Sequence, residues 1–326
     1  MMIPKKIKVG RPISFVAAHK NIVASVCEQS VLVWDIITGE QVQEFQSHQH
    51  LSSLAFSKTD MRVLSGGGSI SLWHCPMATE QKRFDGHDGK VTGVAFAGDY
   101  RTIVSGSADG TLRVWNTHTG LEVKRIEVGA PVRHISMAPT GKHVVAVAED
   151  RYLFVFDTQT GQMTLGEYPF QAAGISHVAV GSQPAFVIGA GNMGGSKTVV
   201  ESDLNDDGNE QLLDHSTNVD GRIYLWRVQG RGFASTEPMT IHDHDTEIWE
   251  VACPSSGRIV GSSGSDGKVK LWNVATGQIV AVLDGDDHPM SCLAFTRVHD
   301  GHRVVAGDRG GTIFGWDVTD ILAESV

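Results

Sequence analysis

GHDGKVTGVAFAGDYRTIVSGSADGTLRVWNTHTGLEVKRI runs from Gly86 to Ile126. Apolar and polar residues alternate in KVTGVAF and TLRVW, which puts one set of side chains on each face of a strand. The stretch reads as strand, turn, strand, Asp109-Gly110 turn, a strand ending at Trp115, a Thr-Gly turn and an outer strand. A four-stranded sheet of this size cannot bury both of its faces alone. It needs like neighbours to stack upon.

The neighbours are present. The closing motif recurs as LVWDIITGE, SLWHCPMATE, RVWNTHTG, FVFDTQTGQ, YLWRVQGR, KLWNVATGQ and FGWDVTD. Its aromatic anchors are Trp34, Trp73, Trp115, Phe156, Trp226, Trp272 and Trp316, spaced by 39, 42, 41, 70, 46 and 44 residues. A period near forty residues marks a repeat architecture. Seven units predict an all-β, seven-bladed propeller of four-stranded antiparallel blades, one domain over residues 1–326.

The chain resembles the WD-repeat family of β-propellers over nearly its whole length. Gly86-His87 and Trp115-Asn116 bracket the third unit, and Asp109 stands six residues before its tryptophan. Asp150, Asp220 and Asp266 hold the same offset in units four, five and six. The resemblance implies a buried hydrogen-bonded set of His87, Ser105, Asp109 and Trp115, and in unit six of His244, Ser262, Asp266 and Trp272. Burial gives an independent reason: an indole N–H and a carboxylate out of water each need a partner. Unit one has Glu28 at the Asp place and unit two has Gly67. Unit seven has Gly310 there and Asp286 where His is expected. Unit four has Phe156 for Trp and no aligned His.

The ends suggest how the ring closes. KIKVGRPIS (6–14) resembles RIEVGAPVRHIS (125–136), which spans an outer strand and the start of the next unit. Lys6–Val9 is therefore expected to be an outer strand with no unit before it. Only ILAESV follows the last motif, too little for a strand of its own. The N-terminal strand is expected to complete the seventh blade, leaving no long sheet edge open.

The spacing of 70 belongs to unit five. ISHVAVG, QPAFVIGAG and GRIYLW read as its first three strands, so the excess falls at about residues 193–219. There Glu201, Asp203, Asp206, Asp207, Glu210 and Asp214 face Lys197 alone, a formal −5 against −10 for the whole chain. Charge so concentrated requires solvation or a cation. DLNDDGNEQLLD matches D-x-[DN]-x-[DN]-G with an acid at position twelve. The calcium ligands would be Asp203, Asn205, Asp207, the carbonyl of Asn209 and the carboxylate of Asp214. Alternate residues of a tight loop can aim oxygens at one centre, and Gly208 permits the sharp turn. The loop resembles those of EF-hands and dockerins, and also the hairpin loops of FG-GAP propellers. It departs at Asp214, where EF-hands carry Glu, at Glu210, and at Gln211, where the FG-GAP pattern has Asp.

Other constellations carry less. GNMGGSKT (191–198) approaches a phosphate loop, but Ser196 replaces a glycine, no helix follows, and carboxylates adjoin it. IHDHDTEIWE holds His242, Asp243, His244 and Asp245, with His244 already assigned to the buried set. Trp249 is the one tryptophan outside the anchor slot; aligned with Gly93 or Ser53, it reads as core between blades or as a contact on the face. The cysteines Cys27, Cys75, Cys253 and Cys292 lack paired spacing. Free thiols of a reducing compartment are expected, a disulfide pair being the other reading. The acidic balance argues against nucleic-acid and anionic-membrane partners. No run approaches a membrane span, and the N-terminal residues lack the apolar core of a signal peptide.

With its polar residues absorbed by the repeat, and no nucleophile, base and orienter left in an array, the resemblance implies a non-catalytic, cytoplasmic, monomeric scaffold. Its partner would be a protein or peptide of unknown identity, and its unit-five loop would be calcium-ordered. The alternative is a hydrolase or other enzyme with a metal-dependent site at the channel mouth.

Overall fold

The structure is a computed structural model. It describes residues 4–57, 59–98, 101–138, 140–149, 152–169, 175–182, 185–193, 202–204, 210–212, 220–229, 232–233, 239–244, 246–254 and 257–324. For 152, 164–169, 175–176, 181–182, 185–186, 191–193, 202–204, 210–212, 220, 227–229, 232–233, 242–244 and 324 only the backbone is described.

The strands assemble into seven antiparallel blades. Blade three illustrates the order from the channel outward: Val91–Phe96, Thr102–Ser107, Thr111–Asn116 and Glu122–Glu127. The seven inner strands touch in sequence, and the last, Met290–Val298, meets the first, Phe15–His19. The ring is closed.

Its apolar residues explain why. They form seven clusters, one in each gap between neighbouring blades. Every aromatic anchor lies in the gap shared with the preceding blade. Trp73 packs with Val31, Val33 and Phe45 of blade one, and Trp115 with Leu64, Leu72 and Phe84 of blade two. Phe156 fills the same place against Val114 and Ile126. The slot therefore selects a large flat side chain, and burying one is worth about 2–3 kcal/mol.

Closure falls to the N-terminus, as expected. Lys5–Lys8 pairs with Thr312–Asp317 as the outer strand of blade seven, one residue earlier than the repeat phase suggests. Ile7 is buried with Trp34, Val305 and Ile313 across the gap to blade one. The residues after the last motif form a short helix, Thr319–Glu324, instead of a strand.

The pairing also shows a recurrent bulge near the start of the inner strands. Thr92 is the extra residue in blade three, Trp249 in blade six and Ser291 in blade seven. Trp249 is thus aligned with Thr92, and Glu250 takes the place of Gly93. This corrects the sequence alignment by one residue: Thr92 and Trp249 each stand 23 residues before their anchors, Trp115 and Trp272, and both blades carry the same bulge. Thr92 and Ser291 use the position to stitch blades together: Thr92 Oγ1 donates to Val132 O at 2.7 Å, and Ser291 Oγ to Ile13 O. Ser52 does the same toward Val91 O at 2.5 Å.

The insertion lies between the second and third strands of blade five, Ala185–Met193 and Asp220–Gln229. Its stem is the Met193–Asp220 pair, and Ser202–Leu204 pairs with Glu210–Leu212 within it.

Deleting residues 1–10 strips the outer strand of blade seven and uncovers Ile7's neighbours. The loss should be about 3 kcal/mol or more, or about 5 °C in Tm. Thermal unfolding followed by circular dichroism checks it; an unchanged Tm would contradict closure by this strand.

Candidate functional site

The connections between blades and the turns joining second to third strands meet on one face of the ring, and blade three shows what holds them. His87 lies in a connection and Asp109 in a turn. Trp115 Nε1 donates to Ser105 Oγ at 2.8 Å, Ser105 Oγ donates to His87 Nε2 at 2.7 Å, and His87 Nδ1 donates to Asp109 Oδ2 at 2.8 Å. Asp109 also accepts the amides of Asp88 (3.1 Å) and Thr111 (3.0 Å) and the Thr111 hydroxyl (2.7 Å).

Burial alone would raise the Asp109 pKa. The Thr111 hydroxyl, His87 and the Asp88 amide outweigh it and hold the carboxyl well below the usual carboxylate range. Burial lowers His87, and the bond to Asp109 offsets this only in part. A neutral imidazole donating through one nitrogen and accepting through the other fits this chain of bonds. The set is architecture: it clips a connection to a turn over a buried indole.

Two of the departures noted in the sequence, in blades two and seven, are compensated. In blade two a Cβ on Gly67 would lie 3.3 Å from the Gln49 side chain, and Gln49 exchanges hydrogen bonds with Ser69 at 3.0 and 3.1 Å. In blade seven the His288 ring occupies the space beside Gly310, where a Cβ would approach to 2.0 Å. Asp308, two residues before that glycine, accepts the Thr312 amide at 2.6 Å. Gln49 and His288 both stand two positions after the place of His87. Glycine at the Asp place makes room for them.

The tryptophan–serine contact recurs in blades one, two and six: Trp34 donates to Ser25 at 3.2 Å, Trp73 to Ser65 at 2.8 Å and Trp272 to Ser262 at 2.9 Å. Blade seven has Ala306 at that register, and Trp316 Nε1 has no partner among the described residues. The His244 side chain, Asp150 and most of the calcium loop (Asn205, Asp207, Asn209 and Asp214) lie outside the described residues. Asp203 is described by its backbone alone, paired with Gln211.

Toward the channel mouth the face carries a feature that repeat logic did not assign. Trp249, half-buried at the blade-six bulge, donates its Nε1–H to Glu247 at 3.0 Å. The exposed guanidinium of Arg309, from the blade-seven turn, lies 4.3 Å from the Trp249 ring centroid. Where Thr92 and Ser291 tie blade to blade by a hydroxyl, Trp249 does so with a cation–π contact open to solvent. Glu28, Asp85, Asp88, Glu149 and Asp287 are exposed around the same face. A rigid aromatic–Arg pair among carboxylates can dock a polypeptide; aromatic residues and Arg dominate such contacts. The four cysteines are free thiols, Cys27, Cys75 and Cys292 being buried.

Comparison with known families matches the model described as "WD domain, G-beta repeat" to residues 39–74, 78–116 and 235–273. Periodic tryptophan protein 2 of Arabidopsis thaliana is 26% identical over 87% of this chain and 28% of its own length. The guanine nucleotide-binding protein subunit beta of Oryza sativa subsp. japonica is 24% identical over 75% of this chain and 72% of its own. For the Denticleless protein homolog of Danio rerio the identity is 24%, over 84% and 46%. The chain thus spans about half or less of several curated relatives it matches.

Asp109 and Asp308 should respond to pH with opposite signs. A depressed folded-state pKa makes Asp109 stabilising above its unfolded value, near 3.9, and that contribution fades as pH falls below it. Asp109→Asn should therefore lose about 2 kcal/mol at neutral pH, with the gap to wild type closing in acid. Burial raises Asp308, with the Thr312 amide offsetting it in part, so its ionisation opposes folding at neutral pH. Asp308→Asn keeps an acceptor for Thr312 and should equal or exceed wild type. Urea unfolding across the acid range measures both.

Proposed function

We propose that this chain, a WD-repeat β-propeller, works as a non-catalytic scaffold that presents the connection face to a protein or peptide partner. The observation that carries the reading is the use to which the polar repeat residues are put. The sequence supplies His, Ser, Asp and Trp in an order that could suggest catalysis. In blade three all four are tied to one another beneath the surface, and Asp109 is saturated with donors. Outward on the same face stand the Trp249–Arg309 pair and several carboxylates, of which Glu149 is paired with Arg133 at 3.2 Å.

The relatives support the same reading. One of them is by name a subunit of a larger protein. Fold alone does not assign function, and the scaffold role rests on this analogy together with the solvent-facing residues. Copurification from a lysate with wild type, Trp249→Ala with Arg309→Ala, and a chain lacking 193–219 tests it. A partner held by wild type and lost at least tenfold in the rim double variant is expected, since a central aromatic–Arg anchor contributes about 2 kcal/mol or more. Equal capture by all three chains would place the partner elsewhere.

The insertion adds a second element to the reading. Its stem rises from the connection face, and its loop holds six carboxylates against one lysine with oxygens at calcium spacing. Bound calcium would remove that self-repulsion and stabilise the chain by mass action. Calcium at about a hundred times its Kd should add about 2.7 kcal/mol relative to excess chelator, if the loop unfolds with the ring. Asp203→Ala with Asp207→Ala should abolish the difference. Identical melting curves for wild type in calcium and in chelator would end the calcium reading.

A further inference from the structure

Below the connection face, the inner strands of blades four, five and six bring unusual groups to one level of the channel. His134, His177 and Glu250 are register equivalents, each the first residue after its bulge. Blade three has Gly93 there and blade seven Cys292. Glu250 and His134 close the inner end of a cavity of about 320 Å³ that opens among the hairpins of the opposite face. Two residues further along the inner strands, Ala55, Ala95 and Ala252 line its wall, with Phe56 and Phe96 beyond them.

His134 lines this cavity and His177, outside its lining, stands against it as a neutral partner. Their ring centroids are 5.0 Å apart, and His134 Nδ1 accepts the Val178 amide at 3.3 Å, so its proton sits on Nε2. Burial, and for His134 the neighbouring His177, pushes the pair down to about 3 and about 4. Neither can supply positive charge, and with Nδ1 engaged His134 offers no lone pair to a metal. Glu250 differs. Its carboxyl receives the Val251 amide, no Lys or Arg among the described residues offsets it, and burial pushes it up to about 8. The one charge this cavity can acquire is negative.

We propose that the cavity binds a small primary alkylammonium ion, with its head on the Glu250 carboxylate and its aliphatic chain along the alanine and phenylalanine wall. An anion would meet no cation at the inner end. A neutral alcohol would gain the apolar wall and a hydrogen bond to the carboxyl, but not the charge-assisted bond that an ammonium makes with its ionised form. The chain's acidic balance also biases the channel toward cations.

The groups around Glu250 limit what else titrates. They are His177 and Cys292 on the flanking inner strands and Cys253 on its own, both thiols raised by burial, Cys253 to about 12. The pH response near neutrality therefore belongs to Glu250. The ammonium needs its ionised form, so binding releases a proton at neutral pH and weakens about twentyfold between about pH 8.5 and about pH 6.5.

Isothermal titration of the full chain with n-pentylammonium chloride, n-pentanol and sodium pentanoate tests this. At about pH 8.5, where Glu250 is largely ionised, saturable binding of the ammonium is expected, at least about tenfold tighter than pentanol and with no pentanoate binding, since pentanol makes only a neutral hydrogen bond and pentanoate brings a second carboxylate to a lining without a cation. Glu250→Gln should lose it while Asp287→Asn keeps it. Should Glu250→Gln fail to fold, wild-type titrations in buffers of different ionisation enthalpy decide by the proton released. Pentanol or pentanoate binding as tightly as the ammonium, binding unchanged in Glu250→Gln, no proton release, or no ammonium binding at all would each overturn the proposal.

Discussion

Each blade depends on a large aromatic side chain driven into the gap beside the blade before it. A four-stranded sheet of some twenty residues has two apolar faces and no layer of its own to cover them. Seven gaps, seven apolar clusters and seven anchors are the solution, and the last gap must be closed by strands from opposite ends of the chain. Hydrogen-bonded sets such as His87–Asp109 act on top of this packing. They fix where connections and turns sit, and so shape the face from which function is read.

That hierarchy explains which departures the ring accepts. Phe156 replaces tryptophan because the gap needs a flat ring, and its blade gives up the indole N–H along with the serine that would receive it. Blades two and seven lose the aspartate of the turn, and a side chain two positions beyond the usual histidine moves over the glycine left there. The apolar anchor stays in every blade, while the polar clip is rebuilt from what is nearby. Packing sets the ring and polar bonding trims it.

Much of this is written plainly in the chain. Anchor spacing gives the blade count, and the likeness of residues 6–14 to 125–136 gives the closure. The buried set of blade three is visible because His87, Ser105, Asp109 and Trp115 keep fixed offsets. Compensation by Gln49, His288 and Asp308 is invisible, since it depends on the space above a glycine. The alignment of Trp249 with Thr92 is legible from their equal distances to the anchors, but that this place is a bulge whose side chain reaches the next blade shows only in the strand pairing. The cavity group is hidden further: His134, His177 and Glu250 lie 43 and 73 residues apart, and only the ring brings them level.

The central claim is that the repeat's polar residues serve architecture and that recognition belongs to the connection face around Trp249 and Arg309. Hydrogen exchange of the chain alone and with a captured partner measures this most directly. The account predicts protection gathered at residues 247–250, 285–289 and 308–311, with the hairpins of the opposite face, followed at 19–22, 97–98 and 140–142, unchanged. Protection confined to those hairpins, with the Trp249 rim exchanging as in the free chain, would contradict it.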